Sequence, residues 1–244
     1  MFSFFKKKRE KRVSPKLRVD LHSHLIPGID DGSQNMEESL SLIAKMEKLG
    51  YEKLITTPHI MADAYKNTPI IIEEGLEALR EAVQKEGIEI EIEAGAEYYL
   101  DDGFVELLRK GDIMSIDEKY LLFETSYVSK PLRTEEIIFE IASAGYIPLM
   151  AHPERYRYIK DPIKEYGRFK ELGVLFQVNL NSLTGQYGKS AMHLAEILSK
   201  NGMIDFLGSD AHHEKHVGNL ERVFDSDAYG DLYAYNTILN NTLM

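Results

Sequence analysis

The stretch VDLHSHLIPGIDDG, positions 19–32, sets His22 and His24 two residues apart and follows them with Asp30 and Asp31. Side chains at i and i+2 of an extended strand share a face, so both imidazoles can serve one site. Imidazoles and carboxylates bind metals or carry protons. Similar groups recur just past other apolar runs. TTPH supplies His59, GAEYY supplies Glu97, and LLFET supplies Glu124. MAHPER adds His152, Glu154 and Arg155; QVNLNS adds Asn179 and Asn181; GSDAHH adds Asp210, His212 and His213. Singly, each has an ordinary explanation. A lone histidine at a strand end is usually a surface residue, and Asp210 could cap a helix. Jointly, so many buried carboxylates and imidazoles are costly without cations to offset them.

Nine residues form the candidate ligand set: His22, His24, Asp31, His59, Glu97, Glu124, His152, Asp210 and His212. That exceeds what one catalytic zinc takes, and it fits two or three ions sharing a bridging carboxylate. Nitrogen and oxygen donors suit zinc, manganese or iron better than calcium. Ions about 4 Å apart suit phosphoester hydrolysis by metal-activated hydroxide. The chain has no cysteine, which excludes disulfides, thiolate metal sites and a cysteine-nucleophile phosphatase.

The elements that must position these groups are short apolar runs at 17–22, 53–57, 88–95, 120–125, 146–151, 174–180 and 204–209. Such runs suit parallel strands covered by helices, although IEIEIE alternates and predicts one partly solvated face. Met36, Leu40, Ile43 and Ala44 predict a helix face before Gly50. Ile137, Ile138, Ile141 and Ala142 do so before Gly145, and Ala191, Leu194, Ala195 and Leu198 before Gly202. The alternation predicts a (β/α) barrel or a doubly wound sheet. In a barrel, all strand C-termini open on one mouth, where active sites sit. The final YGDLYAYNTILNNTLM predicts a terminal helix that packs through Leu232, Tyr235, Ile238 and Leu239 and closes the barrel.

With 244 residues and 43% hydrophobic composition, the chain can bury a large core. Its net charge of −11 disfavours a nucleic-acid surface. No apolar run approaches the roughly 20 residues that span a bilayer. MFSFFKKKREKR places aromatics before positive charges, the reverse of a secretory signal. The expectation is a cytoplasmic protein with a flexible basic tail over 1–16 and a single domain over 17–244. A sharper alternative for the tail is weak contact with the anionic inner face of the membrane through Phe2, Phe4, Phe5 and the basic cluster. Exposed barrel helices leave a homo-oligomer open.

HSHLIPGIDDGS, TTPH and AHPERY together resemble the polymerase-and-histidinol-phosphatase (PHP) superfamily. Within it the pattern is most similar to the metal-dependent protein-tyrosine phosphatases of bacterial capsule and exopolysaccharide systems. The likeness spans residues 19 to about 213. It implies a distorted, TIM-like (β/α)7 barrel with a trinuclear site, the nine residues above as ligands, and His152, Asp210 and Arg155 in the catalytic machinery. It also implies that Arg155 holds the substrate phosphate, as a guanidinium beside metals can by forking onto two oxygens. The alternative role for Arg155 is a salt bridge at the barrel rim. The implied partner is a phosphotyrosine protein, a membrane-associated bacterial tyrosine kinase that controls polysaccharide synthesis. One feature departs from the pattern. Family members often carry a second arginine soon after the last metal histidine, where DAHHEKHVGNLER offers Lys215 and His216, with Arg222 further on. Three other functions stay open: a small-molecule phosphomonoesterase of the histidinol-phosphatase kind, a nuclease or polymerase-associated proofreading role, and a non-catalytic metal-binding module. The acidic balance argues against the second and the complete ligand set against the third.

Overall fold

Every expected strand run contains a strand in the computed structural model, which describes residues 15–244. Most of the expected tail, residues 1–14, lies outside the described residues, and the membrane-contact expectation lies there with it. The strands are β1 (Val19–Asp20), β2 (Lys53–Thr56), β3 (His59–Ile60), β4 (Glu91–Ala94), β5 (Glu97–Tyr99), β6 (Tyr120–Glu124), β7 (Ile147–Ala151), β8 (Leu175–Asn179) and β9 (Phe206–Gly208). They form two sheets, ordered β1-β2-β4 and β3-β5-β6-β7-β8-β9, and all their pairings are parallel.

Two of the expected strands resume after a break beyond their expected ends, as β3 and β5, which no expected run contains. β2 gives way to β3 at Thr57–Pro58, where proline lacks the N–H a ladder needs. β4 gives way to β5 at Gly95–Ala96. The chains still run side by side across the breaks, since Gly95 N donates to Thr56 O and Glu97 N to Pro58 O. IEIEIE becomes a strand only from Glu91; Ile88 and Ile90 stay outside it, half-buried against the helix layer.

Helices fill the connections: α1 (Met36–Leu49), α2 (Pro69–Lys85), α3 (Asp102–Lys110), α4 (Thr134–Ser143), α5 (Pro162–Glu171), α6 (Lys189–Lys200), α7 (Glu214–Gly218), α8 (Leu220–Phe224) and α9 (Asp227–Tyr235). The α6 stripe is buried as expected. In α4 the isoleucines are buried but Ala142 is exposed. The α1 stripe is rotated to Ser39, Leu42, Ile43 and Met46. Packing against α2 and α7 selects that face. Ser39 tolerates burial because its hydroxyl donates to Asn35 O.

The strands carry two cores, one on each face. Leu54, Ile92, Leu121, Phe123, Met150, Phe176 and Leu207 meet the helices. Val19, Leu21, Ile55, Tyr120, Leu122, Leu149, Ala151 and Phe206 form the other cluster with Leu243. This second face leads to the polar groups. Period-two alternation sets Glu124 in line with Tyr120 and Leu122. Asp210 lies two residues past the end of β9.

The first and last strands, β1 and β9, meet through the segments that follow them. Ser23 bridges Ala211 in parallel, and Asp210 N donates to His22 O at 2.8 Å. Asp20 receives Ser209 N at 2.7 Å and Ser209 Oγ at 2.6 Å. The C-terminal segment completes the junction, but not as one helix. α9 stops at Asn236, whose side chain receives Ile204 N and donates to Ser199 O and Leu232 O. Leu232 is buried while Tyr235 faces outward, and the chain then turns into a short 3-10 turn, Asn240–Leu243. There the buried Asn240 receives Leu207 N and donates to Val19 O and Leu207 O. It ties β1 to β9. Replacing it by leucine leaves those backbone groups without partners. We expect Asn240→Leu to lower stability by about 2–4 kcal/mol, read from the midpoint of urea unfolding.

Candidate metal centre

All nine expected ligands converge, with Glu97 at their middle. Its Oε2 lies 3.3 Å from His22 Nε2, 3.5 Å from His24 Nε2 and 3.1 Å from His59 Nδ1. Its Oε1 lies 2.9 Å from His152 Nε2. Glu124 approaches His59 Nδ1 at 3.4 Å and His152 Nε2 at 3.8 Å. Asp210 Oδ1 faces His212 Nδ1 at 3.3 Å and both His22 Nε2 and His24 Nε2 at 3.7 Å. Asp31 Oδ1 lies 3.4 Å from His59 Nε2 and from His212 Nε2.

Four overlapping groups have donor atoms within 4.8 Å of one another and could each hold an ion. They are His24, Asp31, His59 and His212; His22, Glu97 and His152; His22, His24 and Asp210; and His59, Glu97 and Glu124. Donor separations near 3.4 Å match the edge of a tetrahedral shell whose bonds are about 2.1 Å. Buried atoms also lack hydrogen-bond partners here: Glu97 Oε2, His59 Nδ1 and His152 Nδ1. Buried polar atoms are rarely left so. A nitrogen and oxygen donor set with orphaned lone pairs fits metal ions.

The surrounding residues aim the donors. His24 Nδ1 donates to Asp30 Oδ2 at 2.7 Å, which leaves Nε2 unprotonated for the centre when the ring is neutral. Asp30 is itself held by Gly32 N at 2.9 Å and His59 N at 3.1 Å. On the other side a chain of bonds runs inward. His22 Nδ1 donates to Gln177 Oε1 at 2.7 Å, Gln177 Nε2 to Asn179 Oδ1 at 2.9 Å, and Asn179 Nδ2 to Asp210 Oδ2 at 2.6 Å. Arg155 Nη1 and Tyr187 OH also donate to Asp210 Oδ2, at 3.0 and 3.2 Å. Three donors therefore occupy Oδ2 and leave Oδ1 facing the histidines.

Backbone strain belongs to the same design. His152 and Asp210 sit at φ 33° and 50°, in the left-handed region that costs a non-glycine residue about 1–3 kcal/mol. His152 N donates to Gln177 Oε1 at 3.3 Å, and Asp210 O receives His212 Nδ1 and His216 Nδ1. Gly208 must be glycine because an added Cβ would lie 2.7 Å from His22 Cβ and 2.6 Å from Gln177 Nε2.

The carboxylates of the cluster hold the imidazoles of His22, His59 and His212 toward the protonated form in metal-free protein. Burial opposes protonation of His22, but Glu97 and Asp210 outweigh it and raise His22 to about 9. Against the same burial, Glu97, Asp31 and Glu124 raise His59 to about 10. Asp210 and Asp31 likewise raise His212 to about 9. Burial raises Glu124 to about 8, with the Glu97 charge adding to it. Glu97 stays well below the usual carboxylate range, since His22 and His59 overcome its desolvation. Burial prevails at His152 and takes it down to about 4.

Arg155 stands beside Asp210 with its guanidinium 4.5 Å from the ring centres of both Tyr127 and Tyr187. Arg155 makes its salt bridge through Nη1 to Asp210, which belongs to the buried cluster and not to the rim. Sequence reasoning did not assign roles to Asp30, Gln177, Tyr127 or Tyr187. Gln177 carried a signal, as a second amide within the apolar run VLFQVNL, two residues before Asn179. Asp30 was visible in the acidic pair. The two tyrosines had no distinguishing pattern. His213 and His216 join none of the four donor groups, and Lys215 and Arg222 are exposed.

The model of the family described as capsular polysaccharide synthesis, CpsB/CapC, matches residues 18–230. The chain belongs to the CpsB/CapC family. It is 31% identical over 198 residues to the tyrosine-protein phosphatase YwqE of Bacillus subtilis, a match covering 81% of this chain and 78% of that protein. It also resembles a chain from the crystal structures of YwqE from Bacillus subtilis and CpsB from Streptococcus pneumoniae, described as unique metal-dependent tyrosine phosphatases. That likeness has a TM-score of 0.78 and 28% identity, covering 90% of this chain and 96% of the other. A phosphotriesterase homology protein from Escherichia coli shares the fold at a TM-score of 0.55 and 12% identity, over 90% of this chain and 96% of that one.

Two outcomes are expected of the centre. Asp30→Ala should weaken metal binding about 10- to 100-fold by freeing His24, read by competition with a chromogenic chelator. The second concerns pH. His22, His59 and His212 have folded pKa values above the ordinary histidine value, so proton binding favours the folded, metal-free protein. That contribution is complete below about pH 6.5 and is lost as pH rises through about 9–10. The Tm of chelator-treated protein should therefore fall across this window, while metal-loaded protein, with its protons displaced, should change less. Equal pH dependence of both samples in a calorimeter would contradict it.

Proposed function

We propose that this chain is a metal-dependent protein-tyrosine phosphatase, a hydrolase of phosphotyrosine in a protein of the capsular polysaccharide system. The observation that carries the reading is an arginine clamped between two tyrosine rings beside a cluster of nine metal-capable side chains, all buried but Asp31 and the half-buried His212. The CpsB/CapC match and the named relatives support tyrosine phosphatase over the small-molecule alternative. The partner we favour is a membrane-associated bacterial tyrosine kinase. Among the described residues, no helix is long and apolar enough to cross a membrane.

Under this reading the metal ligands are His22, His24, Asp31, His59, Glu97, Glu124, His152, Asp210 and His212, with Glu97 shared. Two or three ions of manganese, iron or zinc suit those donors. When bound, such ions supply an activated water and neutralise charge on phosphoryl oxygens. The chain's own residues do the rest. Asp210 orients Arg155 through Nη1, so the remaining guanidinium N–H groups are left to fork onto a phosphate. Tyr127 and Tyr187 hold the guanidinium flat and shield it from water, which strengthens its charge at the site. Val128 and Leu132, on the loop after Glu124, expose apolar side chains that suit a peptide.

We read residues 17–244 as one domain, a distorted (β/α)7 barrel. The β2/β3 and β4/β5 pairs each count as one interrupted strand in that reading. Support comes from the Ser23–Ala211 bridge, the Asn240 bonds and the inner apolar cluster.

The test is phosphate release from a phosphotyrosine peptide, with chelator and after manganese is restored. Release should need metal. Asp210→Ala and His152→Ala should each lower kcat by about 100-fold or more while circular dichroism stays native. No release by folded, manganese-loaded protein would refute the reading. Retained turnover in both variants would reject the site assignment.

A further inference from the structure

Arg155 lines a second cavity, of about 380 Å³, next to the proposed phosphate position. Tyr127 and Tyr187, the rings that clamp Arg155, form part of its wall, and Arg157 and Lys189 lie on its edge. The side chains of Arg157 and Lys189 have no hydrogen-bond or ion-pair partner among the described residues. In a chain of net charge −11, many other cations are paired, as Lys45 is with Glu214, Arg133 with Glu136 and Lys170 with Asp205. Two unpaired cations converging on one cavity are a local positive field within an acidic surface.

The backbone adds donors. Gly188 through Ala191, the N-cap and first turn of α6, line the same cavity. No side chain caps this turn, so its N–H groups have no capping acceptor of their own. Beneath lies Glu154, 2% exposed, with Oε1 held by Asn179 N and Ser182 Oγ. Its Oε2 has no partner. The cavity thus combines two unpaired cations, uncapped amide donors and aromatic walls. A peptide segment carrying an anionic side chain has the complementary groups.

We propose that this cavity is an accessory subsite that binds a second anionic side chain on the same phosphotyrosine peptide. The inference rests on the tyrosine-phosphatase reading and deepens it. The chemistry is shared by an acidic residue and by a second phosphotyrosine, and aromatic walls accommodate either. Specificity would then come from charge near the reacting residue, with Arg155 as the wall common to both sites.

The experiment uses metal-loaded full-length protein and one phosphotyrosine peptide. Neighbouring positions carry, in turn, glutamine, glutamate or a second phosphotyrosine. Wild type should prefer an anionic residue at one or more positions by about tenfold in kcat/KM, mainly through KM, and the preference should shrink with salt. Arg157→Glu combined with Lys189→Glu should abolish or reverse the preference, whereas Arg157→Lys should keep most of it. A preference seen with phosphotyrosine alone assigns the subsite to phosphate; one seen with glutamate too assigns it to anionic side chains generally. Equal kcat/KM for all peptides, or a preference that survives charge reversal, overturns the subsite while leaving the phosphatase reading intact. No release from any peptide overturns both.

Discussion

Glu97 is buried among four imidazoles, and most of the architecture answers to that one crowded carboxylate. An isolated ionised acid cannot be taken out of water at tolerable cost. Here it is surrounded by His22, His24, His59 and His152, with Glu124 and Asp210 close behind. The balance of charge depends on positive charge entering the cluster, as protons in the metal-free protein or as metal ions in the loaded one. The same residues therefore provide both the folding liability and the chemical potential of the site.

Holding these groups together requires the segments after β1 and β9 to meet. His22 and His24 follow β1, whereas Asp210 and His212 follow β9, far along the sequence. Backbone bonds at Ser23–Ala211 and the Asp20–Ser209 pair join the two segments directly beneath the donors. Asn240 repeats the junction lower down. The strained backbones of His152 and Asp210 persist because several hydrogen bonds over-determine them. Asp30 and the Gln177–Asn179 relay then choose which nitrogen or oxygen each ligand presents.

Arg155 links this centre to the surface. One nitrogen anchors it to Asp210, two tyrosine faces fix its plane, and the cavity with Arg157 and Lys189 begins at its flank. Under the proposed reading, this guanidinium would couple recognition of a peptide to placement of its phosphate. Membership in the CpsB/CapC family is consistent with a macromolecular substrate acting at such a mouth.

The sequence by itself determined the inventory of metal-capable side chains, the absence of a thiolate route, and the placement of seven apolar runs before the polar groups. Those follow from residue type and period-two alternation, which are local properties. It also located Arg155 and the helices that end near Gly50, Gly145 and Gly202. Tertiary structure decided what local pattern leaves open. It selected the buried stripe of α1, because neighbouring helices rather than periodicity alone set the face. It broke two strands at Pro58 and near Gly95, and it ended α9 early because the Asn236 side chain satisfies distant backbone groups. It turned Asp30, Gln177, Tyr127 and Tyr187 into parts of the site through contacts with residues distant in the sequence. Such roles depend on which strand lies beside which, information that no single segment of the chain contains.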